Sequence, residues 1–302
     1  MIDGLININK PEGFTSQDVV SYVKKKIKVK KAGHFGTLDP LAKGVLLIGL
    51  GKATKFFNFY IKKKKVYSGI IKFGYSTTTY DMEGERIGSE VEIDIKNINF
   101  SDIIENFTGE IEQLPPIYSA KKIKGKPLYK YARKNQKVDV KPVKVFVYSF
   151  KFKVIDKSRL YFEIETSSGT YIRTIANDIG KVVGSGAFLE ELIRDRIGEF
   201  SIDQSISLDK LKSSMNIEEM AKLIIPIEKL LPEFSKIVVN ENGKNLALNG
   251  AIINKEDIIN VECKIDAVDN VRVFTIDEKL IAIAKKDVVR KVFKPFIVFN
   301  NS

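Results

Sequence analysis

Apolar and polar positions alternate over the first residues of the chain. In "GLININK" Leu5, Asn7 and Asn9 fall on one side of an extended segment and Ile6 and Ile8 on the other, which predicts a short strand. The period then changes. "FTSQDVVSYVKKKI" places Val19, Val20, Val23 and Ile27 on one helical face, with Thr15 or Ser16 as cap and Asp18 at the positive end of the helix. A loop over Gly33–Pro40 leads into a buried strand at 45–50 and a helix over Ala53–Ile61. "KVYSGIIKFGY" alternates again and predicts a strand, and the polar run "STTTYDMEGE" predicts loop. Ser101–Phe107 reads as a short helix. "VKVFVYSFKFKVI" and "RLYFEIETSS" read as two strands joined by a turn at Asp156–Ser158. "TYIRTIANDIGKVVG" is helical, with Ile172, Ile175, Ala176 and Ile179 on one face and Gly184 as terminator. Helical pieces are expected from there to about Leu231. Pro226 and Pro232 mark a boundary, beyond which "KIVVN", "DNVRVFTID", "LIAIAKK" and "FIVF" are short strands of a small β-rich module.

Composition narrows the class. The chain has 302 residues, enough for one large domain and a small one, and its 44% hydrophobic and 29% charged residues suit a globular protein. Fifty Lys+Arg against 38 Asp+Glu give a formal charge of +12, which fits either a generally lysine-rich surface or a polyanionic partner such as nucleic acid. A single cysteine, Cys263, cannot close an intrachain disulfide, and one cysteine with one histidine cannot furnish a structural zinc site. "MIDGLININK" lacks the pattern of a signal peptide, and no apolar run approaches the ~20 residues of a membrane span. The chain is therefore expected in the cytoplasm.

Familiar nucleotide and hydrolase motifs do not fit. In "GLGKAT" a P-loop would need glycine where Leu46 stands and Ser or Thr where Ala53 stands, and a dinucleotide fingerprint would need glycine at Thr54. A Ser-His-Asp triad would have to use His34, and no G-x-S-x-G elbow accompanies it. There remains "GHFGTLDPLAKGVL", with the only histidine, an Asp-Pro step and several glycines. Asp39-Pro40 reads as a turn. It reads equally as a carboxylate set over a rigid platform, which acts as a nucleophile if a cation keeps it ionised. Taken singly, Arg173 is also a plain ion-pair partner, Tyr67, Tyr171 and Leu192 are core residues, and His34 is a hydrogen-bonded loop residue. A basic stretch is more distinctive. Between Leu114 and Val138 lie Lys121, Lys122, Lys124, Lys126, Lys130, Arg133, Lys134 and Lys137 with no acid, interleaved with Tyr118, Tyr129 and Tyr131. One-signed charge among tyrosines favours phosphate binding over a merely solvated face.

"KKAGHFGTLDPLAKGVLLIGLGKATK" resembles the catalytic motif of the TruB family of tRNA pseudouridine synthases. In the family's order, "GLININKPEGFTS", "YSGIIKFGYSTTTYDMEG", "LPPIYSAKKIKGKPLYKYAR" and "SSGTYIRTIANDIG" resemble its N-terminal strand, tyrosine-bearing strand, RNA-binding thumb and Tyr-x-Arg motif. The likeness covers residues 1–231 and, more weakly, the rest. It implies an α+β fold, a pseudouridine synthase core with a long mixed, mainly antiparallel sheet and flanking helices over residues 1–231. A thumb insertion at about 115–144 and a small PUA-like RNA-binding domain at 232–302 complete it. It implies an isomerase acting on uridine 55 in the T-arm of tRNA, with no cofactor, metal or required protein partner. Carried across, Asp39 is the nucleophile, Tyr67 stacks on the base and assists proton transfer, and Arg173 pairs with the aspartate. Tyr171 contacts the flipped nucleotide, His34 helps hold the flipped-out RNA, and Leu192 lines the base pocket. Lys121, Lys122, Lys124, Lys126, Lys130 and Arg133 fall in the thumb, on the RNA backbone. The family's arginine pair after Leu192 is incomplete in "LIRDRIGEF", which removes one expected phosphate contact. The chemical route stays open among addition to C6, attack on C1′ and a glycal intermediate. A non-catalytic tRNA-binding or tRNA-folding protein on the same fold is the alternative. A guide-RNA-dependent relative is a third reading, against which the 115–144 insertion argues.

Overall fold

The computed structural model describes residues 2–300 except 120, 124, 133, 135, 137, 213–216, 263–269 and 288, so Lys124, Arg133, Lys137 and Cys263 lie outside the described residues. The chain opens with β1 (Gly4–Lys10) and α1 (Ser16–Ile27). Thr15 caps the helix in a reciprocal box: its hydroxyl accepts the Asp18 backbone N–H at 3.1 Å, and the Asp18 carboxylate accepts the Thr15 N–H at 3.0 Å. Val19, Val20, Val23 and Ile27 bury their shared face against Ile6, Ile8, Leu46, Ile48 and Leu50. The last three lie on β2 (Lys43–Leu50), which pairs antiparallel with all of β1. The helix expected at 53–61 forms as a 3-10 turn, Gly51–Phe56, running into one α turn, Phe57–Tyr60.

The remaining large strands are β3 (Lys65–Phe73), β4 (Gly109–Gln113), β5 (Val143–Val154), β6 (Arg159–Thr166), β7 (Ala187–Ile197) and the short β8 (Ile206–Ser207). They form a mixed sheet in the order β8-β1-β2-β7-β3-β6-β5-β4, eleven strands among the described residues once short branches are included. Only β8–β1 and β7–β2 pair in parallel along that path. Helices α2 (Phe100–Glu105) and α3 (Ile172–Val183) contribute Phe100, Ile104, Ile172, Ile175 and Ile179 to a core shared with Ile71, Leu160, Phe162 and Leu189. Gly184, at φ 82°, ends α3 as expected.

Ala187–Ile197 corrects the sequence reading, which continued helix through this region. The buried residues Leu189, Leu192, Arg194 and Ile197 are spaced by three, two and three, which imitates a helical stripe. The cause is two β-bulges against β3, at Leu189/Glu191 and Arg194/Arg196. Each inserts a residue and resets the inward alternation. The polar run after Gly74 is not all loop either: Ser76–Thr77 and Arg86–Ile87 form a small hairpin, and Asp81 bridges to Leu189 on β7.

Beyond residue 231 a second sheet has the order β10-β9-β11-β12-β13, with β9 Ser235–Val239, β10 Ile258–Glu262, β11 Asn270–Phe274, β12 Leu280–Asp287 and β13 Val292–Val298. The β10 strand and the helix α4 (Glu241–Leu248) were not anticipated from the pattern. Phe274, Leu280 and Phe299 pack with Phe56, Tyr60 and Leu231, so this β-rich module shares a core with the larger one. Among the described residues no helix is long and apolar enough to cross a membrane.

Candidate active site

The Gly33–Ala42 segment is held from both sides. Gly33 and His34 pair with Gly49 and Ile48 of β2, and the Phe35 N–H donates to the Leu47 carbonyl at 2.8 Å. The buried Phe35 ring stacks on Tyr60, with centroids 5.7 Å apart. From α1, the Ser16 hydroxyl accepts the Leu38 N–H at 2.8 Å and donates to the Leu38 carbonyl at 3.0 Å. Asp39 to Ala42 then form a hydrogen-bonded turn with Pro40 at its second position, the Ala42 N–H donating to the Asp39 carbonyl at 3.1 Å. Lys10 donates to the Pro40 carbonyl at 3.1 Å and to the carbonyls of Pro11 and Phe14. The turn therefore presents the Asp39 carboxylate on a loop whose backbone is held from both sides.

Arg173, in the first turn of α3, forms an ion pair with Asp39, its Nε 3.0 Å from Asp39 Oδ2. Both terminal nitrogens donate hydrogen bonds: one reaches Asp81 Oδ2 at 3.0 Å and the Thr79 carbonyl at 3.1 Å, and the other reaches the Tyr118 carbonyl at 3.0 Å. Asp81 is buried and fixed by the Thr79 hydroxyl and the Glu83 N–H. One guanidinium therefore spans two carboxylates and the backbone at Thr79 and Tyr118. Only a planar fork with several donors can do this.

Asp39 is hemmed in by protein on most sides, yet its side chain keeps 37% of its surface accessible through the cavity beside it. Burial raises its pKa above the ordinary carboxylate value; Arg173, Lys10 and Arg194 oppose the rise, and Asp81 adds to it. Burial also lowers Lys10 and Lys65, each to about 8. The cavity, about 330 Å³, falls in the usual size range of small-molecule sites. Asp39, Tyr67, Tyr171, Arg173 and Leu192 all line it, as do Lys65 and Arg194. Tyr67 stands opposite Arg194 across the β3–β7 pair, while the Gln113 side-chain amide grips the Tyr171 backbone, its nitrogen donating to the carbonyl and its oxygen accepting the N–H.

Not every expected residue is in that lining. His34 lies on the short strand paired with β2, outside the cavity wall, and burial beside Arg194 lowers its pKa. In the segment expected as a thumb, a two-strand hairpin at Lys122–Ile123 and Lys126–Pro127 precedes a helical turn at Leu128–Ala132. Lys122, Lys126 and Lys130 are exposed there and Lys121 is half-buried.

Two charged groups escaped the sequence reading. Asp81 sat in a polar run with no local signal of burial. Arg194 lies in the incomplete arginine pair after Leu192, where nothing in the sequence signals its burial. It is 1% exposed and donates to the carbonyls of Val45 at 2.8 Å, Thr37 at 3.2 Å and Gly36 at 3.0 Å. It holds the loop that carries Asp39 and lines the cavity beside it. Gly44 makes room for it, at φ 104° and with the Arg194 carbonyl only 2.3 Å from where a Cβ would stand. Arg194→Met should leave the buried Val45 and Gly36 carbonyls unpaired and take the donor from Thr37, lowering stability by roughly 3 kcal/mol or more. Denaturant unfolding measures this, and a variant as stable as wild type would mean that the loop is held by other contacts.

Comparison with known proteins places these features in context. Residues 24–172 match the family model described as TruB family pseudouridylate synthase (N terminal domain), and residues 173–232 match tRNA pseudouridylate synthase B C-terminal domain. The tRNA pseudouridine synthase B of Solibacter usitatus is 43% identical over 240 residues, 80% of this chain and 82% of the relative. That of Aquifex aeolicus is 41% identical over 260 residues, 85% and 89% of the two chains. That of Clostridium kluyveri is 39% identical over 298 residues, 98% of this chain and all of the relative. Among solved structures, a chain of an H/ACA RNP bound to a substrate RNA containing 2′-deoxyuridine superposes with a TM-score of 0.72 at 24% identity, covering 99% of this chain and 85% of that one. A chain of a Cbf5-Nop10-Gar1 complex gives 0.69 at 27% identity, covering 99% and 84%.

Proposed function

This chain belongs to the TruB family of pseudouridylate synthases, and on that premise we propose that it converts uridine 55 in the T-loop of tRNA to pseudouridine, with Asp39 as nucleophile. The observation that carries the reading is the Asp39–Arg173 pair at 3.0 Å on the wall of a cavity faced by Tyr67, Tyr171 and Leu192. The reaction breaks the N1–C1′ bond and joins C5 to C1′ of the same nucleotide, an isomerisation that needs no group donor. The target base must leave its stack, at a cost of a few kcal/mol, and aromatic and apolar walls offset that cost. Tyr67 and Tyr171 supply the stacking surfaces and Leu192 the apolar wall. Arg173 favours the ionised form of Asp39 and opposes the effect of burial. His34, outside the cavity, contacts the RNA from which the base is withdrawn.

The catalytic unit spans residues 1–231, with its thumb at about 115–144, and residues 232–302 form a PUA-like RNA-binding domain. The protein works in the cytoplasm, without a required protein partner. Incubating the pure protein with one unmodified tRNA transcript and mapping pseudouridine tests the proposal: a single site at position 55 is expected. Tight binding with no conversion would instead identify a non-catalytic tRNA-folding protein.

The thumb carries affinity rather than base choice. Replacing Lys121, Lys122, Lys126 and Lys130 by alanine should weaken tRNA binding and flatten its salt dependence by about 0.7–0.9 in log–log slope per lost phosphate contact. The modified position should not move. Titrations at three salt concentrations decide it, and an unchanged slope would remove these lysines from the interface.

A further inference from the structure

Two large aromatic side chains face solvent beside the cavity, and nothing in the core requires them there. Phe146 and Tyr148 on β5 are each 41% exposed, with ring centroids 4.8 Å apart. Further along the same strand Phe150 and Phe152 pack inward. An unbroken strand would turn all four even-numbered residues to one face. A β-bulge between Val147 and Ser149 reverses the parity, so the first pair points outward and the second inward. The outward pair adjoins the active site. The Phe146 N–H donates to the Ser167 hydroxyl at 2.9 Å, and the Ser167 N–H donates to the Phe146 carbonyl at 2.8 Å. The next residue, Ser168, lines the cavity. On the other side, β5 and its partner β4 are the two stems from which the thumb emerges.

The charge around the rings is complementary to a polyanion. The Lys64 ammonium sits 3.6 Å from the Tyr148 centroid, and the exposed Lys62 precedes it. Two neighbouring carboxylates are occupied: Glu110, across from Phe146, bonds Lys144 at 2.8 Å, and Glu165, across from Ser149, bonds Arg196 at 3.2 Å. We infer that Phe146 and Tyr148 form a stacking platform for an unpaired base of the RNA strand that enters the cavity, with Lys62 and Lys64 on the adjoining phosphates. This rests on the proposed action on tRNA. It adds a contact outside the cavity that grips RNA without touching the reacting base.

The test uses the full chain and one unmodified tRNA transcript. Phe146→Ala/Tyr148→Ala should bind about tenfold or more weakly at fixed salt, as loss of one stacked base does. Its log–log salt slope should match wild type, because stacking releases no counterions. Single-turnover conversion at saturating protein should also match, and Phe146→Trp should bind at least as tightly as wild type. If the alanine pair melts at a lower temperature, Phe146→Leu/Tyr148→Leu keeps the apolar cover and reads the same loss. Wild-type affinity in the variant overturns the platform, as it would if these rings met a protein instead. Failure of the wild-type protein to make pseudouridine is a separate result that strikes the proposed function, since affinity is read without turnover.

Discussion

Asp39→Asn should abolish pseudouridine formation, by more than about a thousandfold, while tRNA affinity stays within a few-fold of wild type. The amide is nearly isosteric with the carboxylate, so the turn at Pro40 and the packing of Phe35 remain. What disappears is the negative charge that Arg173 holds at 3.0 Å. Single-turnover conversion of one transcript, with affinity measured alongside, separates a chemical defect from a binding defect; substantial residual conversion would mean another group is the nucleophile. The same reaction has a pH signature. Burial raises the Asp39 pKa, so its inactive, protonated form accumulates at a higher pH than for an ordinary carboxyl group. The rate should fall on acidification through that raised value. Asp81→Asn removes a like charge and should move this acid limb to lower pH, whereas Arg173→Ala removes the opposing cation and should move it higher.

Arg173→Lys should lower the rate by about a hundredfold although the charge is kept. The wild-type guanidinium holds Asp39, Asp81 and the carbonyls of Thr79 and Tyr118 at once. An ammonium has three donors on a flexible stem and cannot reproduce that fork, so Asp39 loses its fixed partner and the Tyr118 carbonyl its tether. The expected defect therefore appears in the single-turnover rate, with the acid limb shifted less than in Arg173→Ala. A near wild-type Arg173→Lys enzyme would reduce this residue to a simple counter-ion.

The two assignments differ in how they were legible. Asp39 announces itself, because "GTLDP" joins a turn-forming Asp-Pro step to glycines and a buried strand within a few residues. Arg173 and Tyr171 sit at the start of a well-marked helix that ends at Gly184. Taken singly they read as an ion-pair partner and a core residue, and their roles came only with the resemblance of "SSGTYIRTIANDIG" to the family's Tyr-x-Arg motif. Asp81 was not legible, since its burial depends on a bridge to Leu189, over a hundred residues along the chain.

By itself the sequence determined what short-range physical chemistry governs. The Thr15–Asp18 capping box, the α1 stripe, the paired strands around Asp156–Ser158 and the Asp39 turn all form from residues a few positions apart. Tertiary structure alone decided the rest. It made Ala187–Ile197 a central strand, because two bulges against β3 replaced the alternation of a strand with a helix-like spacing. It turned Arg194 inward, because the Gly36, Thr37 and Val45 carbonyls meet there only after β2 and β7 pair. A cation's place depends on which partners surround it, and these partners come from chain segments about 150 residues away.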